Sequence, residues 1–354
     1  MSSLSVPVLV LIFAASAAAI WAAGIQLSVQ TDVLSERLHL GAALGGLILL
    51  AIATNLPEIA IVTSASLSHQ LDLAVGNILG GIAVQTVVLV ALDAFGPQNG
   101  RPLTWRAASL VLVLEGLAVM AVLAVVVGGT QLPGNVIVWR LTPSALLIAV
   151  VWAASLFLVR RAGNGLPWHE SGEAPDNQVD PKGHSRSMAE RDATKRGMST
   201  RRSAAIFGAA AVVTLAAGVA LERSGEQIAS HIGLSGVLFG ATILAAATAL
   251  PEVSTGLTAV RHGDDQLAIS DIFGGNAFLP VLFLVATLLS GDAVLPAAHD
   301  TDIYLTAVGV LLTAVYVTGL LFRPARRIAR MGIDSLIVLA LYALAVAGLF
   351  AIGS

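Results

Sequence analysis

A 33-residue stretch of this chain occurs twice. Residues 51–83 (AIATNLPEIAIVTSASLSHQLDLAVGNILGGIA) align without a gap on residues 245–277 (AAATALPEVSTGLTAVRHGDDQLAISDIFGGNA) at a constant offset of 194, with 13 of 33 positions identical. The identities fall on Thr54/Thr248, on Leu56-Pro57-Glu58/Leu250-Pro251-Glu252 and on Gly80-Gly81/Gly274-Gly275, so abundant alanine and leucine alone do not produce them. Each copy sets a carboxylate beside a proline inside an apolar run. A charge is costly there, which makes each Glu a functional-site candidate. A matched pair of such interruptions in the two halves of a membrane chain points to a binding site shared by internal repeats.

Apolar runs of spanning length fall at roughly 5–27, 39–66, 72–96, 107–127, 142–159, 203–221, 233–260, 266–290, 301–322 and 334–352. With 56% of 354 residues hydrophobic and 12% charged, the chain reads as an all-α membrane protein of ten transmembrane helices. The apolar start, Val6 to Val29, has spanning length and no basic flank, so it reads as the first span, not a cleaved signal. No basic run is interleaved with aromatics, which removes nucleic acid as a partner and leaves inorganic cations and the lipid bilayer. Cysteine is absent, so disulfides and thiolate metal sites are excluded. There is no H-E-x-x-H motif and no nucleophile–base pairing, so an enzyme is not expected.

The one long polar stretch divides the chain into a first five-span repeat (1–159), a linker (160–202) and a second five-span repeat (203–354). Charge sets the orientation. With the linker cytoplasmic, its side holds Arg37, Arg101, Arg106, Arg261, Arg323, Arg326, Arg327, Arg330 and the linker's own nine basic residues; the other side keeps Arg140 and Arg223. That asymmetry places both termini outside. An odd number of spans per half makes the second repeat enter with opposite polarity, so the repeats are inverted and Glu58 and Glu252 meet near the membrane middle.

Pro57 and Pro251 lack an N–H, which frees the carbonyls of Ala53 and Ala247 one turn earlier and kinks both helices. Thr54 and Thr248 lie four residues before Glu58 and Glu252, on the same helical face. Each copy therefore offers a hydroxyl, a carboxylate and a loose carbonyl, hard oxygen ligands suited to an alkali or alkaline-earth cation. The next helices carry Gly76-Asn77-Ile78-Leu79-Gly80-Gly81 and Ser270-Asp271-Ile272-Phe273-Gly274-Gly275. Their small residues suit close helix packing or gating. Asp271 adds a third carboxylate to the site or caps its helix, and Gln85 is a neutral ligand whose positional partner is Leu279. Glu115 has no repeat partner and either relays protons or pairs with a polar neighbour. Asp93 and Asp334 read as interfacial, and His69 and His262 as solvated loop residues.

These residues resemble the cation/calcium exchanger superfamily, whose sodium/calcium exchangers carry two inverted five-span halves, each with a G-T-S-L-P-E motif followed by G-N-x-x-G-S-N. The matching stretches are Ala53-Thr54-Asn55-Leu56-Pro57-Glu58 with Gly76 to Ile82, and Ala247-Thr248-Ala249-Leu250-Pro251-Glu252 with Ser270 to Asn276. The resemblance implies alternating access with a sliding two-helix gate. It carries the family's glutamates to Glu58 and Glu252 and its threonines to Thr54 and Thr248. It also marks departures: the family's site serines map to Gly81 and Gly275, its first-half amide or acid to Gln85, and its second-half acid to Leu279. Calcium takes six to eight oxygens, and this ligand set offers fewer.

The expected function is a secondary active antiporter of the sodium/calcium exchanger type in a prokaryotic inner membrane, moving Ca²⁺, Na⁺ or H⁺ and needing no cofactor. Proton-coupled exchange of a monovalent cation on the same fold is the alternative that the lost serines and Leu279 favour. From another class, a channel has no visible filter sequence, and a scaffold gives two buried glutamates nothing to do.

Overall fold

A computed structural model describes residues 4–37, 49–96, 100–107, 109–163, 165–167, 197–233, 239–261 and 263–353. The central part of the expected linker, residues 168–196, and His262 lie outside the described residues. The chain is mostly helical. The first half holds α1 (Val6–Arg37), α2 (Leu49–Thr54), α3 (Leu56–Leu67), α4 (Leu71–Phe95), the short α5 (Leu103–Ala107), α6 (Leu110–Thr130) and α7 (Pro143–Gly163). The second holds α8 (Thr200–Ile232), a π-helical turn (Gly240–Leu244), α9 (Ala245–Thr248), α10 (Leu250–Arg261), α11 (Asp265–Phe278), α12 (Leu282–Ser290), α13 (Asp300–Phe322) and α14 (Ile333–Gly353). A 3₁₀ turn around Pro280, Leu279–Val281, joins α11 to α12.

Among the described residues, seven helices are long and apolar enough to cross a membrane: α1, α4, α6, α7, α8, the α11–α12 run and α13. Of the remaining expected spans, residues 39–48 of one and 234–238 of another lie outside the described residues. α3 and α14 are shorter apolar helices, and the segment Thr242–Thr248 meets α10 at a 45° bend. In both copies the break falls on the residue before Leu-Pro. Asn55 has φ −86° and ψ 15°, and Ala249 φ −76° and ψ 2°, in the bridge region, off the helical backbone angles, where the run opens and bends. Pro57 then stands in the first turn of α3, where a missing N–H leaves no hydrogen bond unmade.

The duplication extends well beyond the 33 aligned residues. Shifted by 194, Val6–Arg37 falls on Thr200–Ile232, Leu56–Leu67 on Leu250–Arg261, and Leu71–Phe95 on the Asp265–Ser290 run. The last helices match at 190 instead, Pro143–Gly163 on Ile333–Gly353. Just before each lies the same two-residue turn. Val138 bridges Leu141 across Trp139 and Arg140 (φ 54° and 60°), and Ile328 pairs with Met331 across Ala329 and Arg330 (φ 51° and 72°), in a two-strand ribbon β1 (Arg327–Ile328) and β2 (Met331–Gly332). Positive φ at both central residues is the hairpin geometry that matches strand twist.

The most extensive helix pairing is α1 along α8, and this pair lies across the two broken helices, α1 on α10 and α8 on α3. Glycines permit the approach. A Cβ on Gly24 would stand 2.8 Å from Cβ of Pro251; one on Gly218, its counterpart at +194, would stand 3.0 Å from Cβ of Ala60 and 3.2 Å from the Pro57 carbonyl. Each half's first helix thus covers the other half's kink. The main core gathers residues of α4, α6, α11, α12 and α13, with α4 78% buried against 28% for α1 and α8. Polar groups carried by α4 and α11 are therefore held in protein, away from the molecular surface.

Candidate functional site

Glu58 and Glu252 begin α3 and α10, one turn beyond the breaks, and are 0% and 1% exposed. Gln85, nearly four turns into α4, stands between them. Its Nε2 donates to Oδ1 of Asn55 at 3.2 Å, Oε1 of Glu58 at 3.4 Å and Oε1 of Glu252 at 3.5 Å. The two carboxylate oxygens are therefore within about 7 Å of each other. One amide, covered on all sides by protein, links acids from opposite halves of the chain.

The other oxygens of this cluster are left over. Oε2 of Glu58, Oε2 of Glu252 and Oε1 of Gln85 are buried without a hydrogen-bond partner. Buried polar atoms are nearly always satisfied, so three orphans at one point mark a place where something else completes the set. Thr248 lies within hydrogen-bond reach of the Glu58 carboxylate while its hydroxyl also reaches the Ala245 carbonyl at 3.1 Å. Thr54 is 1% exposed at the end of α2, and Ala53 and Ala247 are buried at the two breaks, 1% and 9% exposed.

Asp271 lies in the second turn of α11 and is buried, so it does not cap the helix start. Thr255 donates to its Oδ2 at 3.0 Å, while Oδ1 has no partner. It is one step removed from the Glu58–Glu252 pair. Among the described residues no three acids or histidines gather closely enough to hold one ion, so the structure does not bring the third carboxylate into a common shell. Asn77, its positional equivalent, is fully buried in α4 beside the π-helical turn with both side-chain polar atoms unpartnered. It touches neither glutamate by hydrogen bond.

The glycines divide by role. A Cβ on Gly81 would stand 3.7 Å from a Leu279 methyl, and one on its counterpart Gly275 would stand 3.0 Å from Asn55 and 3.5 Å from Gln85. Asn55 of the first half thus fills the volume that a side chain at 275 would take. Gly80 packs within buried α4, and Gly274 lines a separate pocket between α6, α7 and α11. Pro57 and Pro251 lie beneath Gly218 and Gly24.

Three participants had no role assigned from the sequence, although Asn55 and Asn276 stand inside the motif stretches. Asn55, Thr86 and Asn276 lie at or beside the site, Asn276 donating to Thr86 at 3.0 Å with its Oδ1 left unpartnered. Their signal was polarity inside an apolar run without a repeat partner of the same kind: the equivalents are Ala249, Pro280 and Ile82. Asp93 and Asp334, expected at the interface, are buried at 2% and 4% exposure. Asp93 accepts from the amides of Leu103 (2.8 Å) and Gly332 (2.6 Å) and from Ser335 (2.9 Å), tying the end of α4 to the β-ribbon and α14. His69 is exposed, as expected for a loop, and pairs with Asp292 at 3.4 Å.

The model of the sodium/calcium exchanger protein family matches residues 8–161 and 202–351. The chain is 28% identical over 263 residues to the inner membrane protein YrbG of Escherichia coli, covering 73% of this chain and 72% of that protein. Its fold is similar to the crystal structure of the H⁺/Ca²⁺ exchanger CAX (TM-score 0.67, 15% identity, 97% of this chain and 82% of that one). It is similar also to the sodium-calcium exchanger NCX_Mj (TM-score 0.60, 18% identity, 97% and 99%).

Proposed function

Because the chain belongs to the sodium/calcium exchanger protein family, we propose that this integral membrane antiporter moves Ca²⁺ in exchange for Na⁺ or H⁺ through one site shared by Glu58 and Glu252. The observation that carries the reading is the Gln85 amide held between those two carboxylates. An N–H donor stands where a cation would stand. On cation entry the amide turns its unpartnered Oε1 inward, and the orphaned carboxylate oxygens, Thr54 and Thr248 supply further hard ligands.

Two buried negative charges cannot cross between inward- and outward-facing states uncompensated. One Ca²⁺, two Na⁺ or two protons each cancel them, so competing cations use the site in turn and exchange is obligatory. We assign the site to the middle of ten spans arranged as inverted halves, 1–159 and 203–354, with the linker 160–202 cytoplasmic and both termini outside, in a bacterial inner membrane. Contacts at the helix ends support this topology. Arg106 pairs with Asp265 at 2.9 Å and Arg37 with the Met198 carbonyl at 2.9 Å, all on the cytoplasmic side of the scheme. Gln70 meets Glu226 at 2.6 Å, and Arg140 meets the Leu288 carbonyl at 3.1 Å, all on the outer side.

A second reading, proton-coupled exchange of a monovalent cation, is favoured by Leu279 facing Gly81, where the first-half counterpart pair supplies Gln85. Flux in reconstituted vesicles separates the two. Labelled Ca²⁺ uptake is driven by an outward Na⁺ gradient or by a pH gradient, applied one at a time. Na⁺/H⁺ exchange without Ca²⁺ flux selects the second reading. Glu58→Gln and Glu252→Gln should each abolish exchange; full exchange in both variants would remove the site from the transport path.

A further inference from the structure

Of the acids within the spans that the site above does not use, Glu115 accepts from Ser270 of α11 at 3.1 Å, whereas Glu222 of α8 opens on a cavity. Glu222 is 2% exposed; its Oε2 accepts from Ser64 of α3 at 3.2 Å, and its Oε1 accepts from none of the described residues. The cavity, about 230 Å³, lies between the end of α3 and α8, and its other walls are Ser68, Gln70, Arg223, Glu226 and Gln227, all polar. Glu226 follows Glu222 by four residues and so shares its face of α8. Gln70 holds it, donating from Nε2 to its Oε1 at 2.6 Å. Arg223 is exposed, and no ion pair among the described residues joins it to either acid. Shifted by 194, Glu222 falls on Ser28, so the repeated packing of α8 on α3 and α1 on α10 does not itself call for a carboxylate here. A buried acid in a spanning helix that packing does not require is a candidate for ion binding.

We propose that this cavity is a loading site that holds a divalent cation, with most of its hydration shell, at the outer mouth of the transport path; the inference rests on the exchanger reading above. Ser64 stands six residues beyond Glu58 on α3, about 9 Å toward its outer end. Gln70 and Glu226 belong to the outer side of the scheme. A water takes about 30 Å³ of liquid, so 230 Å³ gives room for several around one ion. The free oxygen of Glu222 and the carboxylate of Glu226 meet the ion directly or through a water. The amide oxygens of Gln70 and Gln227 and the Ser68 hydroxyl are further hard acceptors. Two carboxylates against one guanidinium leave the lining net negative, and a cleft of one sign concentrates counter-ions. Full dehydration is left to the buried Glu58–Glu252 pair, so its cost is divided over two steps.

Mn²⁺, titrated onto the full-length protein purified in detergent and carrying Glu58→Gln/Glu252→Gln to disable the inner site, tests this; the paramagnetic resonance signal of the free ion reports binding. One saturable site is expected, displaced by Ca²⁺ and weakened at least tenfold when Glu222→Gln/Glu226→Gln is added. Gln70→Lys, at the partly exposed mouth, should weaken it as much by setting an ammonium beside Glu226, and it decides alone where Glu222→Gln does not yield folded protein. In sided vesicles with Glu58 and Glu252 intact, Glu222→Gln/Glu226→Gln should raise KM for Ca²⁺ at the outer face at least threefold over any change at the cytoplasmic face. Absence of saturable Mn²⁺ binding, equal binding by the pocket variants, or the same KM change at both faces overturns the loading site. Vesicles that carry no Ca²⁺ at all refute the exchanger reading instead, and the Mn²⁺ titration still decides on the cavity.

Discussion

Replacing Gln85 by Glu tests whether the central amide stands in for a cation. Its Nε2 is 3.4 Å from the Glu58 oxygen and 3.5 Å from the Glu252 oxygen, so Gln85→Glu puts a third carboxylate oxygen at about those distances without changing side-chain volume. At an effective dielectric constant near 20, like charges 3.5 Å apart repel by about 5 kcal/mol. Two such repulsions replace two attractive contacts when no cation is bound. Proton uptake relieves most of this, so a tenfold to hundredfold gain in apparent Ca²⁺ affinity is the expected residue, about 1.4 to 2.8 kcal/mol. Calorimetric titration of detergent-purified protein gives the affinity. Thermal unfolding supplies an independent check, because a ligand at free concentration c that binds only the folded protein stabilises it by RT ln(1 + c/Kd) and so raises the melting temperature more the tighter it binds. Gln85→Glu should melt below the unaltered protein in chelator and show a larger upward shift with Ca²⁺. Unchanged or weaker Ca²⁺ binding, with no drop in chelator, would refute the idea that this amide faces the ion.

Gly24→Ala places a methyl carbon 2.8 Å from the Pro251 side chain, well inside normal carbon contact, and should destabilise the protein by about 1–3 kcal/mol in a thermal melt. Gly218→Ala meets Ala60 at 3.0 Å and should cost less, so the order of the two melting temperatures is itself a test. Asp93→Asn leaves one acceptor oxygen for three donors, Leu103 N, Gly332 N and Ser335 Oγ, and should cost about 2–3 kcal/mol in the same assay. Gly275→Ser should impair Ca²⁺ flux, since a Cβ there stands 3.0 Å from the Asn55 amide beside Gln85; restored flux in Asn55→Ala/Gly275→Ser would show that the two positions share one volume.

The composition of the chain, its apolar run lengths and the repeated Thr-x-Leu-Pro-Glu pattern were enough to recognise a helical membrane protein built on a duplication; the family came from the resemblance of its two motifs and is shown by the match over 8–161 and 202–351. The first was possible because a bilayer allows few backbone solutions and makes any buried charge conspicuous. The last third of each half was legible only as apolar helix. Its kinship rests on matched turns at Trp139-Arg140 and Ala329-Arg330, whose residues carry no turn signal, so only the backbone angles reveal the repeat. Pairing Glu58 with Glu252 could be anticipated from the duplication. That Gln85 bridges them, that Asn55 fills the space beside Gly275, and that Asp271 answers to Thr255 outside their shell depend on how α4 and α11 cross, which no spacing along the chain encodes. Residue type and period set which groups a span can bury; the packing of helices distant in sequence selects which buried groups touch.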